Sequence, residues 1–335
     1  MNPLSTGIEI PHMALKNRLV MPPMATAKAG KDGRATEALI EYYREKSADG
    51  HIGLIITEHC FVSPEGKAHA GQLSAADDDA IAGLRQIADA VHRNGSKIMA
   101  QISHAGSAAD APETMSASAV KMPRGSLTAP RGHFSSPLPR EMTAADIEKT
   151  VRAFADAAAR IRKAGFDGVE IHAAHGYLLN QFYSPLTNRR TDGYSGGTLS
   201  GRTRLLLEIT AAVRNAVGSD FPVALRFGAS DGMAGGADAA GSVPAARLFE
   251  KAGIDLLDVS GGFCGYLYPF SRDPGYFGEI SKAIKDAVSI PVILTGGITD
   301  ARTANRLLEE KKADLIGVGR AILRDSLWAM RAMTE

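Results

Sequence analysis

A closed (β/α)8 TIM barrel, an α/β fold built on one parallel sheet, is the class this sequence predicts, on three observations. Short apolar, β-branched runs alternate with longer amphipathic stretches almost to the C-terminus, the pattern of a parallel sheet with helical crossovers. The alternation resolves into eight pairs, and eight pairs in 335 residues favour a closed barrel over an open doubly wound sheet. No G-x-G-x-x-G follows the first strand candidate, which removes the usual dinucleotide-binding alternative.

Taken in order, the strand candidates are 18–21, 54–57, 97–102, 168–172, 223–227, 256–259, 292–294 and 315–318. Each is short and apolar, as strands covered on both faces should be. The helix candidates between and after them are 37–48, 79–93, 144–163, 203–217, 243–252, 278–287, 301–310 and 321–332. Asn94-Gly95 closes the second helix. Thr143 with Asp146 reads as a capping box opening the third, and Gly165 suits that helix's end. Long connections follow strands three, four and six and project from the C-terminal face, where this fold places active sites. No composition break divides the chain, so one domain over residues 1–335 is expected.

Composition narrows the function. A formal net charge of +1 from 38 basic and 37 acidic side chains argues against a dedicated nucleic-acid or anionic-membrane binder. Two cysteines, Cys60 and Cys264, are too few for a disulfide framework or for four cluster-holding thiolates, and neither has the context of a nucleophile. No apolar run is long enough to span a membrane and none has the form of a signal peptide, so a cytoplasmic location is expected. Glycine numbers 35, about one residue in ten against an average of roughly 7%, so many backbone positions are tight or closely approached.

In a barrel, the residues just past each strand form one rim around one cavity. Gly296 and Gly297 after strand seven and Gly319 before Arg320 after strand eight would offer backbone N–H groups and a cation to a phosphate. Taken singly, such glycines would serve only tight turns. His172, His175 and Tyr177 follow strand four closely enough to reach one small polar atom, as a metal site or as donors to a developing oxyanion. Zinc is the weaker choice, because no Cys, Asp or Glu nearby supplies a third ligand; no metal is expected. Gln101 and Arg226 reach the same rim, which shows no nearby carboxylate, so Arg226 is expected to meet a bound anion, with Glu58 the alternative partner.

At these residues the sequence resembles the Old Yellow Enzyme family of FMN-dependent ene-reductases over essentially its whole length. The strongest segment is IHAAHGYLLNQFYSPLTNRRTDGYSGG, supported in order by KNRLVMPPM, GLIITEH, AQISHAG and GVGRAIL. The resemblance implies non-covalent FMN at the barrel mouth, with Pro23, Met24, Ala25 and His59 along the flavin and Gln101 and Arg226 at its pyrimidine edge. Ser260, Gly296, Gly297, Gly319 and Arg320 would hold the phosphate. His172 and His175 would bind the carbonyl oxygen of an α,β-unsaturated substrate, hydride would reach the β-carbon from flavin N5, and Tyr177 would protonate the α-carbon. NADH or NADPH would reduce the flavin first, in a ping-pong cycle. Amine oxidation or demethylation on the same fold is the alternative reaction, and a flavin-free barrel binding a phosphorylated metabolite is a third reading.

The sequence departs from the family pattern in places. Ala25 followed by Thr26 stands where many members have Cys or Thr beside the flavin, and His59 where small residues are common. The ending RAMTE lacks the Tyr and Arg tail by which some relatives complete a neighbour's site, so that dimer mode does not carry over, while a homo-oligomer of another kind stays open. The run Met21–Thr26 is also similar to flavin domains of larger relatives that carry a Cys-rich iron–sulfur segment. With no such segment here, electrons are expected directly from the nicotinamide nucleotide. The aromatics Phe263, Tyr266, Tyr268 and Phe270 are expected to shape the substrate mouth or to pack its lid.

Overall fold

A computed structural model describes residues 2–123, 125–126 and 138–334. Its eight barrel strands are β1 (Leu19–Met21), β2 (Leu54–Ile56), β3 (Lys97–Ser103), β4 (Gly168–Ala173), β5 (Val223–Ser230), β6 (Leu256–Gly261), β7 (Val292–Thr295) and β8 (Leu315–Gly317). Each pairs in parallel with its neighbours in sequence, and β8 pairs with β1, so the sheet closes on itself. Strands this short suffice because the closed barrel leaves no unpaired edge. The last residues of β3 to β7 run past the sequence expectation, because parallel pairing continues into the polar rim where the apolar signal has stopped.

The surrounding helices are α1 (Glu37–Ser47), α2 (Ala80–Arg93), α3 (Ala144–Lys163), the short α4 (Leu178–Tyr183), α5 (Leu199–Val217), α6 (Ala239–Lys251), α7 (Gly278–Lys285), α8 (Ala301–Glu309), α9 (Arg320–Arg324) and α10 (Trp328–Thr334). The Thr143 capping box is complete: its hydroxyl accepts the Asp146 N–H at 3.2 Å while the Asp146 carboxylate accepts the Thr143 N–H at 2.8 Å. Arg140 clamps the same carboxylate at 2.6 and 2.9 Å, which together with the Thr143 bonds holds Asp146 well below the usual carboxylate range. Two helices start four residues before the expected points, after the N-caps Thr198 and Asp238, each accepting a glycine N–H. Their first turns are Gly-, Ser- and Ala-rich and carry no apolar stripe to announce them. The expected eighth helix is broken in two, because Asp325 leaves the helical region and its carboxylate accepts the Leu327 N–H at 3.0 Å.

Side chains of paired residues in adjacent parallel strands point the same way, so the register sorts the barrel interior into layers. The lower layer is apolar: Val20, Leu54, Ile56, Met99, Ala224, Leu256, Ile293 and Leu315 form one cluster. An antiparallel hairpin, Ile8–Ile10 with Met13–Leu15, adds Ile10, Met13 and Leu15 to that cluster and closes the N-terminal end of the barrel. This hairpin has no counterpart in the sequence reading, since each arm holds only three residues. Two residues further along the strands the interior turns polar. Among the described residues no helix is long and apolar enough to cross a membrane, and no group of three or more His, Cys, Asp or Glu could hold a metal ion.

Candidate active site

The polar layer is set by strand register. Gln101 of β3 pairs with Glu170 of β4, while Arg226 of β5 pairs with both His172 of β4 and Asp258 of β6. All five side chains are buried. The Gln101 amide donates to Glu170 at 2.8 Å, and the Arg226 guanidinium pairs with Asp258 at 3.3 Å. Burial raises both carboxyls, Glu170 to about 8 with Asp258's charge as a second cause, while Arg226 opposes both shifts. One guanidinium facing two carboxyls is neutralised when the pair retains a single proton.

Two expectations need correction here. Arg226 does have carboxylate company, because Asp258 and Glu170 stand inside apolar strands and register brings them beside it. Glu58 is not its partner: it accepts the Thr26 N–H at 3.1 Å, and burial raises it to about 7.

Above this layer lies a cavity of about 410 Å³, within the roughly 300–1,000 Å³ typical of small-molecule sites. It gathers Pro23, Met24, Ala25, His59, Gln101, His172, His175, Tyr177, Arg226, Gly296, Gly297, Gly319 and Arg320. Ser260 is not among the lining residues; its hydroxyl bonds the His175 ring at 2.7 Å. The cavity has two chemically distinct ends.

At one end the rings of His172 and His175 meet edge to face with centroids 5.0 Å apart, and Tyr177 lies 5.1 Å from His172. The turn that presents them is backbone-strained: His175 has φ 58° and Gly176 φ 72°. A Cβ on Gly176 would stand 2.9 Å from both Met122 and Phe263, so the position admits only glycine. Asn180 and the Gly261 carbonyl pin the turn through the Gly176 and His175 N–H groups. Burial is the first cause that drives both imidazoles well below their ordinary pKa; neighbouring histidines and Arg226 add to it. Both are therefore neutral at physiological pH. Desolvation pushes the Tyr177 phenol up to about 12, so it holds its proton.

At the other end, Gly296 (φ 155°) and Gly297 (φ 67°) expose bare backbone against the ring of Tyr276, where an added Cβ would come within 2.8 and 2.9 Å of that ring. Gly319 and Arg320 adjoin them across the cavity wall. Among the described residues, the buried Thr295 hydroxyl and Arg226 Nε have no hydrogen-bond partner. Sequence reasoning missed Tyr276, Ile298 and Thr299 as lining residues, since nothing in the local sequence sets them apart.

The aromatic run after β6 divides. Tyr266 lines the cavity, Phe263 packs beneath the Gly176 turn, Tyr268 packs against Phe277, and Phe270 is exposed on the surface. Cys60 and Cys264 are buried and unpaired with one another, and burial raises both thiols.

Comparison with known proteins agrees with this fold. Residues 3–335 match the family described as NADH:flavin oxidoreductase / NADH oxidase. The chain is 40% identical over 328 residues to NADH oxidase of Thermoanaerobacter brockii, covering 96% of this chain and 49% of that protein. It is 39% identical over 326 residues to NADPH dehydrogenase of Geobacillus thermodenitrificans, covering 96% and 91% of the two chains. The structure of an old yellow enzyme homologue from Zymomonas mobilis superimposes with a TM-score of 0.83 at 27% identity, over 98% of this chain and 91% of that one. The chain thus spans about half the length of some relatives, such as the Thermoanaerobacter protein, and nearly all of others.

Proposed function

Since the chain belongs to the NADH:flavin oxidoreductase / NADH oxidase family, we propose that it is an FMN-dependent oxidoreductase that uses NADH or NADPH to reduce the C=C bond of alkenes activated by a carbonyl or similar acceptor. The observation that carries this reading is the pairing of two neutral imidazoles and a protonated phenol at one end of the cavity with bare glycine backbone and Arg320 at the other.

The residues present fit FMN. Arg226 Nε and the Thr295 hydroxyl are buried donors without a partner among the described residues, and the Gly296-Gly297 turn leaves backbone open where a side chain would intrude. With its amide nitrogen donating to Glu170, Gln101 would offer its carbonyl oxygen to an imide N–H, and Arg226 would offer a cation to the electron-rich edge of the ring. Gly296, Gly297, Gly319 and Arg320 would hold the phosphate, and Pro23, Met24 and Ala25 would lie along the ring. When bound, FMN supplies hydride transfer between the nicotinamide and the alkene.

The protein's own part is electrostatic and acid–base. His172 and His175 donate to the substrate carbonyl oxygen, where negative charge grows as the β-carbon is reduced, and their fixed geometry makes them most effective at that moment. Ser260, bonded to His175, acts as a positioning residue for it. Tyr177 gives its proton to the α-carbon. The described lining residues include no Asp or Glu to attract an ammonium group, which favours alkene reduction over amine oxidation.

The test is spectroscopic. Purified protein loaded with FMN should lose its visible flavin absorption when NADH or NADPH is added without oxygen, and regain it when 2-cyclohexen-1-one follows. Bleaching by an amine but not by NAD(P)H would favour the amine reaction, and failure to bind FMN would leave only the phosphometabolite barrel.

A further inference from the structure

His59 lies on the same side of the cavity as the catalytic pair, with its ring centroid 5.2 Å from Tyr177 and 6.0 Å from His172. The three imidazoles thus form a row, His175, His172, His59, with Tyr177 against the last two. What His59 offers a ligand depends on which ring nitrogen carries the proton, and the chain behind it fixes that.

The side-chain oxygen of Gln72 accepts the Ala68 backbone N–H at 2.6 Å. Backbone N–H groups only donate, so the amide orientation of Gln72 is settled, and its NH2 must face His59. That NH2 donates one hydrogen to the His59 carbonyl oxygen at 3.1 Å and the other to His59 Nδ1 at 2.8 Å. A flipped Gln72 would set its oxygen against the His59 carbonyl and its NH2 against the Ala68 N–H, losing every one of these bonds. Nδ1 is therefore an acceptor and bears no proton. The Ser103 hydroxyl, 3.0 Å from Nδ1, is compatible with this, since it can donate there or to the Cys60 carbonyl at 3.5 Å. The ring proton belongs on Nε2, which makes no hydrogen bond to a described residue and belongs to a ring that lines the cavity. Burial, aided by the charges of His69 and Arg226, lowers His59 to about 3, so the ring stays neutral and the tautomer persists across the working range.

Resting on the function proposed above, we propose that His59 is a specificity-determining residue. Its Nε2–H is a third donor, which selects alkenes carrying a second acceptor oxygen beyond the carbonyl held by His172 and His175. Maleimides and other conjugated dicarbonyls are the class that fits. A substrate with one carbonyl leaves the His59 donor unmatched, and an unmatched buried donor costs affinity.

The test uses two unreactive ligands that differ by one carbonyl, N-methylsuccinimide and N-methyl-2-pyrrolidone, titrated calorimetrically into the FMN-loaded protein. The wild type should favour the imide by about tenfold, the equivalent of one well-made hydrogen bond. His59→Ala should abolish that preference, and His59→Gln, which restores an N–H donor, should recover part of it. Gln72→Leu, which releases the tautomer without touching the cavity, should reduce the preference by less than His59→Ala does.

If His59 only packs against the flavin, His59→Ala will weaken FMN binding and lower affinity for both ligands alike. An unchanged imide-to-lactam ratio in His59→Ala, with NAD(P)H-driven alkene reduction intact in the wild type, overturns this inference and spares the function. A wild-type protein that binds neither ligand and reduces no alkene takes both down.

Discussion

The two ends of the barrel are built from the same strands and obey opposite rules. At the N-terminal end, inward residues are aliphatic and a small hairpin seals them with Ile10, Met13 and Leu15. About two residues further along the same strands, the interior holds Gln101, Glu170, His172, Arg226 and Asp258, all buried. Several polar atoms there, including His172 Nδ1, Arg226 Nε and both Asp258 carboxylate oxygens, make no hydrogen bond to a described residue, although Asp258 keeps its ion pair with Arg226. Buried polar groups left in this state cost stability, and the strained His175-Gly176 turn adds to the cost. The lower end accounts for rigidity, and it allows the upper end to keep groups that only a ligand and a reaction would use.

Substitutions that separate the two ends test this contrast. Tyr177→Phe is expected to slow alkene reduction on the order of 10²–10⁴-fold, the usual worth of a positioned general acid. It should slow flavin reduction by NAD(P)H much less, as single-turnover kinetics of the two half-reactions would register; equal slowing would remove Tyr177 from proton transfer. His172→Ala should lose about 2.7–4 kcal/mol of transition-state stabilisation, as expected for one oxyanion donor, and should bind phenolic ligands more weakly. Its melting temperature should not fall, because the ring keeps buried a nitrogen that makes no hydrogen bond to a described residue.

The opposite result is expected below. Leu15→Ala should cost about 3 kcal/mol of stability through a lost aliphatic contact and cavity, with turnover per folded molecule unchanged. A change in ligand affinity there would show that the two ends are coupled.

The pH dependence of stability gives a smaller signal. Glu58 and Glu170 have folded pKa values raised to about 7 and about 8 from 4.5, so their contribution is fully present below about pH 4.5 and lost as pH rises through 7 and 8. The buried neutral His59 and His104, lowered to about 3 and about 4, act in the other direction: stability falls as pH drops below about 6.5. Melting temperatures of the flavin-free protein should therefore peak in mildly acid solution and decline toward pH 8, and Glu58→Gln should flatten part of the decline.

How much of this was legible in the sequence follows from the range of the interactions. The barrel was, since each strand–helix unit carries its own apolar run and several carry their own caps; residues 144–163 match α3 to the residue because Thr143 and Asp146 mark its start locally. The gathering of His172, His175, Tyr177, Gln101 and Arg226 in one cavity was also legible, since strand ends in a barrel share one rim. The partners of these groups were not. Asp258 meets Arg226 through the pairing of β5 with β6, and Ser260 meets His175 across 85 residues of chain. The proton of His59 is placed by Gln72 and Ala68 from a separate loop. The charges inside Gly168–Ala173 and Leu256–Gly261 were the available hint, because an acid in an otherwise apolar strand asks for a cation nearby.

The central claim, that the polar end of this barrel reduces activated alkenes by hydride at one carbon and a proton at the other, can be tested by isotope tracing. The FMN-loaded protein would reduce 2-cyclohexen-1-one without oxygen, using nicotinamide nucleotide deuterated at its transferable position. The account predicts one deuterium at the β-carbon of the saturated ketone and a solvent-derived hydrogen at the α-carbon. Unreduced cyclohexenone, or a product with no deuterium at the β-carbon, would contradict it.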